Sequence, residues 1–197
     1  MKKLFDMDNP VMQALSVAAD LLILNILTLI CSLPVITTGP AFTAMNDICL
    51  RITRGEDCYT VKGFFRSFAA NFKKGVLAGI LFIACAVFLY FDHMAATAYI
   101  PVMRYGILAL GVLVSAVAFY TFPLLARYEN TLGNTLKNAA ILAVGYFPRT
   151  LLMAISSIAL WLLCLRFFRI GGPILLMFGL SLPCYINALL LKGVFNK

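Results

Sequence analysis

Between Val11 and Leu33 the chain runs through 23 residues in which Asp20 is the sole charged side chain. About 20 apolar residues suffice for a helix to cross the hydrocarbon core of a bilayer. In lipid, every backbone N–H and C=O has to be satisfied within the protein, so helices and closed barrels are the only spanning forms. Four further stretches are apolar enough to span: Gly75–Phe91, Val102–Phe122, Thr150–Leu165 and Ile170–Leu191. The fourth extends upstream through Ala139–Phe147 if the chain continues straight across Pro148. Composition points the same way, since 62% of the 197 residues are hydrophobic and only 12% charged, against about 25% charged in a soluble domain. So few charges cannot cover a water-facing surface. The prediction is an all-α, multi-pass transmembrane helical bundle, one integral membrane domain over residues 1–197, with five clear spans and a short candidate sixth.

Met1-Lys2-Lys3 opens in the manner of a signal peptide, but Asp6, Asp8 and Pro10 precede the apolar run. The run closes on Leu33-Pro34-Val35, with no small-x-small cleavage site, so it reads as a retained first span.

The longest polar region, Val35–Lys74, reads as cytoplasmic and interfacial. Thr38 is a candidate cap for a helix with Pro40 in its first turn, running to Arg54 and broken by Gly55-Glu56-Asp57. A second helix begins near Thr60 and runs into the second span. It places Val61, Phe64, Phe65, Phe68 and Phe72 on one stripe and Lys62, Arg66, Lys73 and Lys74 opposite, the pattern of a helix lying in the membrane interface. Anionic lipid headgroups are the partner that those cations imply.

Lys and Arg set the orientation. Arg51, Arg54, Lys62, Arg66, Lys73, Lys74, Arg127, Lys137, Arg149, Lys192 and Lys197 fall on one side, which puts the 35–74 region and the C-terminus in the cytoplasm. With five spans the partition is 11 basic residues inside and 5 outside; if residues 35–50 cross as a sixth, it becomes 13 against 3. Charge favours six spans and hydropathy five, because that segment contains Asn46 and Asp47. Asp47 stands four residues before Arg51, an ion pair at helical spacing.

Gln13, Ser16, Asp20, Asn25, Thr28 and Ser32 fall within about half of the first helix's circumference. Such a polar seam has to face other helices or a wet cavity. It is either an ion, proton or substrate pathway or a set of hydrogen bonds holding helices together, each worth about 0.6 kcal/mol in membranes. Gly75 and Gly79 form a G-x-x-x-G face that permits close helix approach, and packing within the bundle is the preferred reading over dimerisation. Pro123, Pro148, Pro173 and Pro183 sit at or inside helix ends. Carbonyls freed beside such prolines line cavities in transporters, although kinks and boundaries are the commoner outcome. Asn130 or Thr131 begins a loop helix through Leu132, Leu136 and Ala139.

No G-x-x-x-x-G-K-[ST], H-E-x-x-H or G-x-S-x-G motif occurs, so no catalytic residue, cofactor or metal is assigned. The six cysteines form no C-x-x-C pair and read as small hydrophobes. The net charge of +8 is spread through loops, without the dense basic patch of a nucleic-acid binder.

Ala19-Asp20-Leu21-Leu22-Ile23-Leu24-Asn25, Cys31-Ser32-Leu33-Pro34-Val35-Ile36-Thr37 and Gly39 resemble the start of a bacterial family of membrane proteins, YesL-like, with the domain of unknown function DUF624. Thr43-Ala44, Arg54-Gly55-Glu56, Phe64-Phe65-Arg66-Ser67-Phe68, Asn71-Phe72-Lys73 and Phe122-Pro123-Leu124-Leu125-Ala126-Arg127-Tyr128 continue the likeness over nearly the whole chain. At Asn46-Asp47 the sequence departs from the more apolar aromatic pair of the family. The resemblance implies a bacterial cytoplasmic-membrane protein, and no catalytic residue. Genes of the family often neighbour carbohydrate uptake systems of the ATP-driven class, which implies an accessory or regulatory role beside transport permease subunits. A small stand-alone transporter or channel using the Asp20 seam is the alternative.

Overall fold

The computed structural model describes residues 10–56, 59–99, 103–166 and 177–195, and these contain helices and no strand. The helices are α1 (Pro10–Cys31), α2 (Thr38–Arg54), α3 (Thr60–Ala70), α4 (Phe72–Tyr99), α5 (Met103–Arg127), α6 (Leu132–Gly145), α7 (Phe147–Arg166) and α8 (Ser181–Phe195), with one 3-10 turn at Val35–Thr37.

The boundaries follow from local chemistry. Between α1 and α2, Thr37 Oγ1 lies 2.6 Å from the Cys31 carbonyl and 2.8 Å from that of Pro34, and Thr38 Oγ1 donates to the Val35 carbonyl at 2.7 Å. These hydroxyls satisfy carbonyls behind them; the expected forward cap by Thr38 is not made, and Thr37 is the N-cap residue. Gly55 ends α2 at φ +73°, a left-handed turn that glycine makes at no steric cost. The helix expected to run unbroken from Thr60 into the second span divides at Asn71, which leaves helical geometry at φ −100°, ψ 10°. Its amide Nδ2 donates back to the Ser67 carbonyl at 3.2 Å.

α2 is the centre of the bundle, packed against α1, α3, α4, α5 and α8. Of its 17 residues, 11 are buried, including Ala41, Ala44, Met45, Ile48 and Cys49. Leu24 from α1, Phe64 from α3, Tyr120 and Leu124 from α5, and Ala188 and Leu191 from α8 complete the core. α4 meets α2 through glycine. A Cβ on Gly39 would overlap the Gly75 carbonyl, one on Gly75 would lie 2.7 Å from Pro40 Cα, and one on Gly79 2.9 Å from Gly39 Cα. Only glycine lets the two backbones touch in this way, so the G-x-x-x-G face is used within the bundle.

Five clear spans are not what the fold shows. Among the described residues three helices are long and apolar enough to cross a membrane, over Met12–Cys31, Phe72–Ala96 and Met103–Arg127, and a fourth crossing results only if one bent pair is counted as a span. That pair is α6 and α7, which meet at 93°. Pro148 stands in the first turn of α7, where its missing N–H is tolerated, and Tyr146 leaves helical geometry just before it. The straight extension of Ala139–Phe147 into the fourth stretch is therefore corrected to a corner. The described helix in the fifth stretch is α8, which starts only at Ser181, runs past Leu191 to Phe195 and with 15 residues is too short to cross alone; residues 167–176 lie outside the described residues. The membrane-embedded character rests on the three long helices, whose outward faces carry Ile23, Ile30, Ile80, Val87, Phe88, Leu108 and Val112.

Candidate functional site

The polar seam of α1 does not stay together. Gln13 and Ser16 are exposed near its start. Asp20, half-buried, accepts a hydrogen bond at Oδ1 from the Thr60 hydroxyl at 2.5 Å, which pins the first residue of α3 to α1. Asn25 is fully buried and works further along: its Oδ1 accepts from the backbone N–H of Leu180 at 2.9 Å and of Ser181 at 3.1 Å. The first N–H groups of any helix lack intrahelical partners, and here a side chain of α1 supplies the acceptor for the start of α8. Thr28 donates to its own helix, to the Leu24 carbonyl at 2.7 Å, and Ser32 Oγ is buried without a partner. Of the six seam residues, Asn25 and Thr28 are buried and Asp20 and Ser32 half-buried, while Gln13 and Ser16 face outward. The partners of Asp20, Asn25 and Thr28 sit on three different elements, so the seam is a row of separate contacts.

α3 is docked by one face. Phe64 is fully buried and Thr60 and Ser67 nearly so, Phe68 is half-buried, and Phe64 stacks on Phe68 with ring centres 6.2 Å apart. The remainder of the expected stripe points outward: Val61, Phe65 and Phe72 are exposed, beside exposed Lys62, Arg66 and Lys73, while Lys74 is half-buried.

Basic side chains also close the ends of helices. Lys192 Nζ donates to the Thr53 carbonyl in the last turn of α2 at 2.7 Å, joining α8 to α2. Arg51 pairs with Asp47 at 3.1 Å, the expected spacing of four. Arg54 reaches Glu56 at 3.2 Å. Cations near a helix C-terminus also complement its partial negative charge.

Two cavities stand out. One, of about 300 Å³, lies between α2, α5, α7 and α8, with Phe42, Asn46, Phe119, Phe122, Ser157 and Asn187 among its walls. The other, of about 410 Å³, lies between α5, α6 and α7. The hydroxyls on the walls of the second are satisfied, Ser115 by the Val112 carbonyl at 2.8 Å and Thr150 by the Ala143 carbonyl at 2.9 Å, with the Tyr120 hydroxyl 3.0 Å from Thr150. In the first, Asn187 Oδ1 and Ser157 Oγ are buried and have no hydrogen-bond partner. Neither residue stood out in the sequence. Pro183, flagged as a helix-end proline, lines this cavity and was the available signal. No seam residue of α1 lines either cavity.

Among the described residues no group of three His, Cys, Asp or Glu side chains comes together to hold a metal ion. Cys31, Cys49, Cys85 and Cys184 are free thiols, with Cys49 and Cys184 buried in the core.

The model of the family described as "Protein of unknown function, DUF624" matches residues 21–93, from the middle of α1 through α2 and α3 to most of α4. The chain is 28% identical over 164 residues to the uncharacterized protein YesL of Bacillus subtilis (strain 168), covering 81% of this chain and 77% of YesL. It is 26% identical over 164 residues to the uncharacterized protein YteU of the same organism, covering 80% of this chain and 71% of YteU. No solved structure matches. These matches bear out the YesL-like, DUF624 resemblance that the sequence motifs carry.

Proposed function

We propose that this protein is a non-enzymatic component of the bacterial cytoplasmic membrane that assists or regulates a carbohydrate transport complex of the ATP-driven class. Its working surface is the outer face of α3. The observation that carries this reading is the division of α3 into two faces. Phe64, Thr60 and Ser67 hold it to the bundle, while Val61 and Phe65 point outward beside Lys62 and Arg66, and Phe72 and Lys73 at the start of α4 are exposed as well. An exposed apolar and basic face on a fixed helix suits a permease subunit at the cytoplasmic edge of the membrane, with anionic headgroups around it. The solute class comes from the family resemblance alone. The separate partners of Asp20 and Asn25 support this reading over a continuous pathway along α1.

Affinity capture from native membranes tests it. Permease subunits should co-purify with the wild-type chain and be lost with Phe65→Ser combined with Arg66→Glu. Solute flux in liposomes containing this protein alone, with no permease subunit captured, overturns it.

A further inference from the structure

We infer that the cavity between α2, α5, α7 and α8 is a binding site for a compact uncharged amphiphile bearing a hydroxyl group on an apolar body. Its volume of about 300 Å³ stands at the lower end of the range of about 300–1,000 Å³ for small-molecule sites. Nine of its twelve lining residues are apolar, among them Phe42, Phe119 and Phe122, and none is charged. A charged ligand would lose its hydration there with no counter-charge in the lining.

The polar groups specify the rest. Asn187 is 6% exposed, and its Oδ1 and the Ser157 hydroxyl oxygen are buried without partners. Asn46 donates its amide Nδ2 to the Phe42 carbonyl at 2.8 Å, so it is anchored to its own helix. Unpaired buried polar atoms destabilise a fold, and in native proteins they are few, so each one calls for a partner that the chain itself does not supply. The ligand group that satisfies both is a hydroxyl. It donates to the Asn187 carbonyl oxygen and exchanges a hydrogen bond with Ser157, and it pairs with the Asn187 amide in either orientation, because it both donates and accepts. A polyol with hydroxyls on every side fits less well, since the aromatic walls would leave most of them unpaired. The second cavity has no such demand, its wall hydroxyls being bonded to carbonyls of the protein.

Asn187 separates a role in binding from a role in folding. If the residue served the fold, replacing it by leucine would weaken the protein. As an unpartnered binding group, it should give a more stable protein when replaced by an apolar side chain of similar size, at the expense of binding. The test uses the full chain in phosphatidylcholine nanodiscs with a photoreactive diazirine analogue of decanol, and peptide mapping after irradiation. We expect labelling on α5 and α8 around Phe119 and Asn187, displaced by unlabelled decanol and not by decane. Asn187→Leu should cut labelling at least ten-fold while the melting temperature holds or rises, and Ser157→Ala should reduce it about three-fold. Equal displacement by decane, displacement by glucose, or labelling unchanged in a folded Asn187→Leu variant would each overturn the assignment. A lower melting temperature in Asn187→Leu together with wild-type labelling of Ser157→Ala would do so as well.

Discussion

α2 and α4 touch through bare backbone, and they invert the usual relation between hydropathy and burial. α4 is among the most apolar helices, with a mean hydropathy of 2.2 in its spanning window, yet only 17% of that window is buried. α2 contains three threonines, an asparagine, an aspartate and two arginines within 17 residues, and 11 of the 17 are buried. In water, the greasy helix would be the core. In lipid, tails cover an apolar surface as well as leucine does, so the drive to the interior comes from close packing and from polar groups that need partners. Gly39, Ala41, Thr43 and Ala44 of α2 are small enough to admit neighbours on every side. Thr43 satisfies its own hydroxyl at the Gly39 carbonyl, 2.9 Å away, and Asp47 is paired with Arg51. The polar helix is inside because its polarity is satisfied internally; the apolar helix is outside because lipid accepts it.

The sharpest way to break this contrast is at the glycine contact. Gly39→Leu has to push α4 away, since even a Cβ there overlaps the Gly75 carbonyl. Overpacking typically costs about 1–3 kcal/mol; against backbone the upper end or more applies. Loss of monodisperse protein on size exclusion is the expected result. Next comes Asn25→Ala, which leaves the N–H groups of Leu180 and Ser181 without their acceptor. It should destabilise by about 1–3 kcal/mol, the cost of a buried unpaired donor, read as a lower melting temperature in detergent. A smaller effect belongs to the Asp20–Thr60 bond. Asp20→Asn keeps an acceptor and should be tolerated, while a double-mutant cycle of Asp20→Leu with Thr60→Val should return a coupling of about 0.6 kcal/mol, the membrane average. A stably inserted Asp20→Asn variant that loses function would instead point to a role for the charge. The smallest effect is expected on the outer face of α4, where Phe88→Leu exchanges one lipid-covered side chain for another and should change stability by less than about 0.5 kcal/mol.

Much of the secondary structure was legible. The first apolar run, Gly55 as a terminator, a helix start at Asn130 or Thr131 and the Asp47–Arg51 pair are dictated by residues close in sequence, although the helix after Thr131 buries Thr135, Ala139 and Ala143 and is no solvated loop helix. Gly75 and Gly79 announced a close approach, though not that Gly39 and Pro40 would meet it. Counting spans fared worse, because hydropathy cannot distinguish a straight helix from one that turns 93° at Tyr146. The centrality of α2 was hidden for a related reason: a window average measures suitability for lipid, and α2 is suited to protein. The cavity was least visible of all. Asn46, Ser157 and Asn187 belong to three helices distant in sequence, and the absence of a partner for Asn187 is a property of the assembled bundle.

The central claim is that the polar helix is shielded from lipid by the apolar ones, and a membrane-partitioning carbene reagent reads this directly. Irradiated in liposomes and mapped by mass spectrometry, the protein should be labelled at Val87, Phe88 and Phe91 of α4, which are exposed. Ala44, Ile48 and Cys49 of α2, each 0% exposed, should remain unlabelled. Comparable labelling of the two helices would contradict the account.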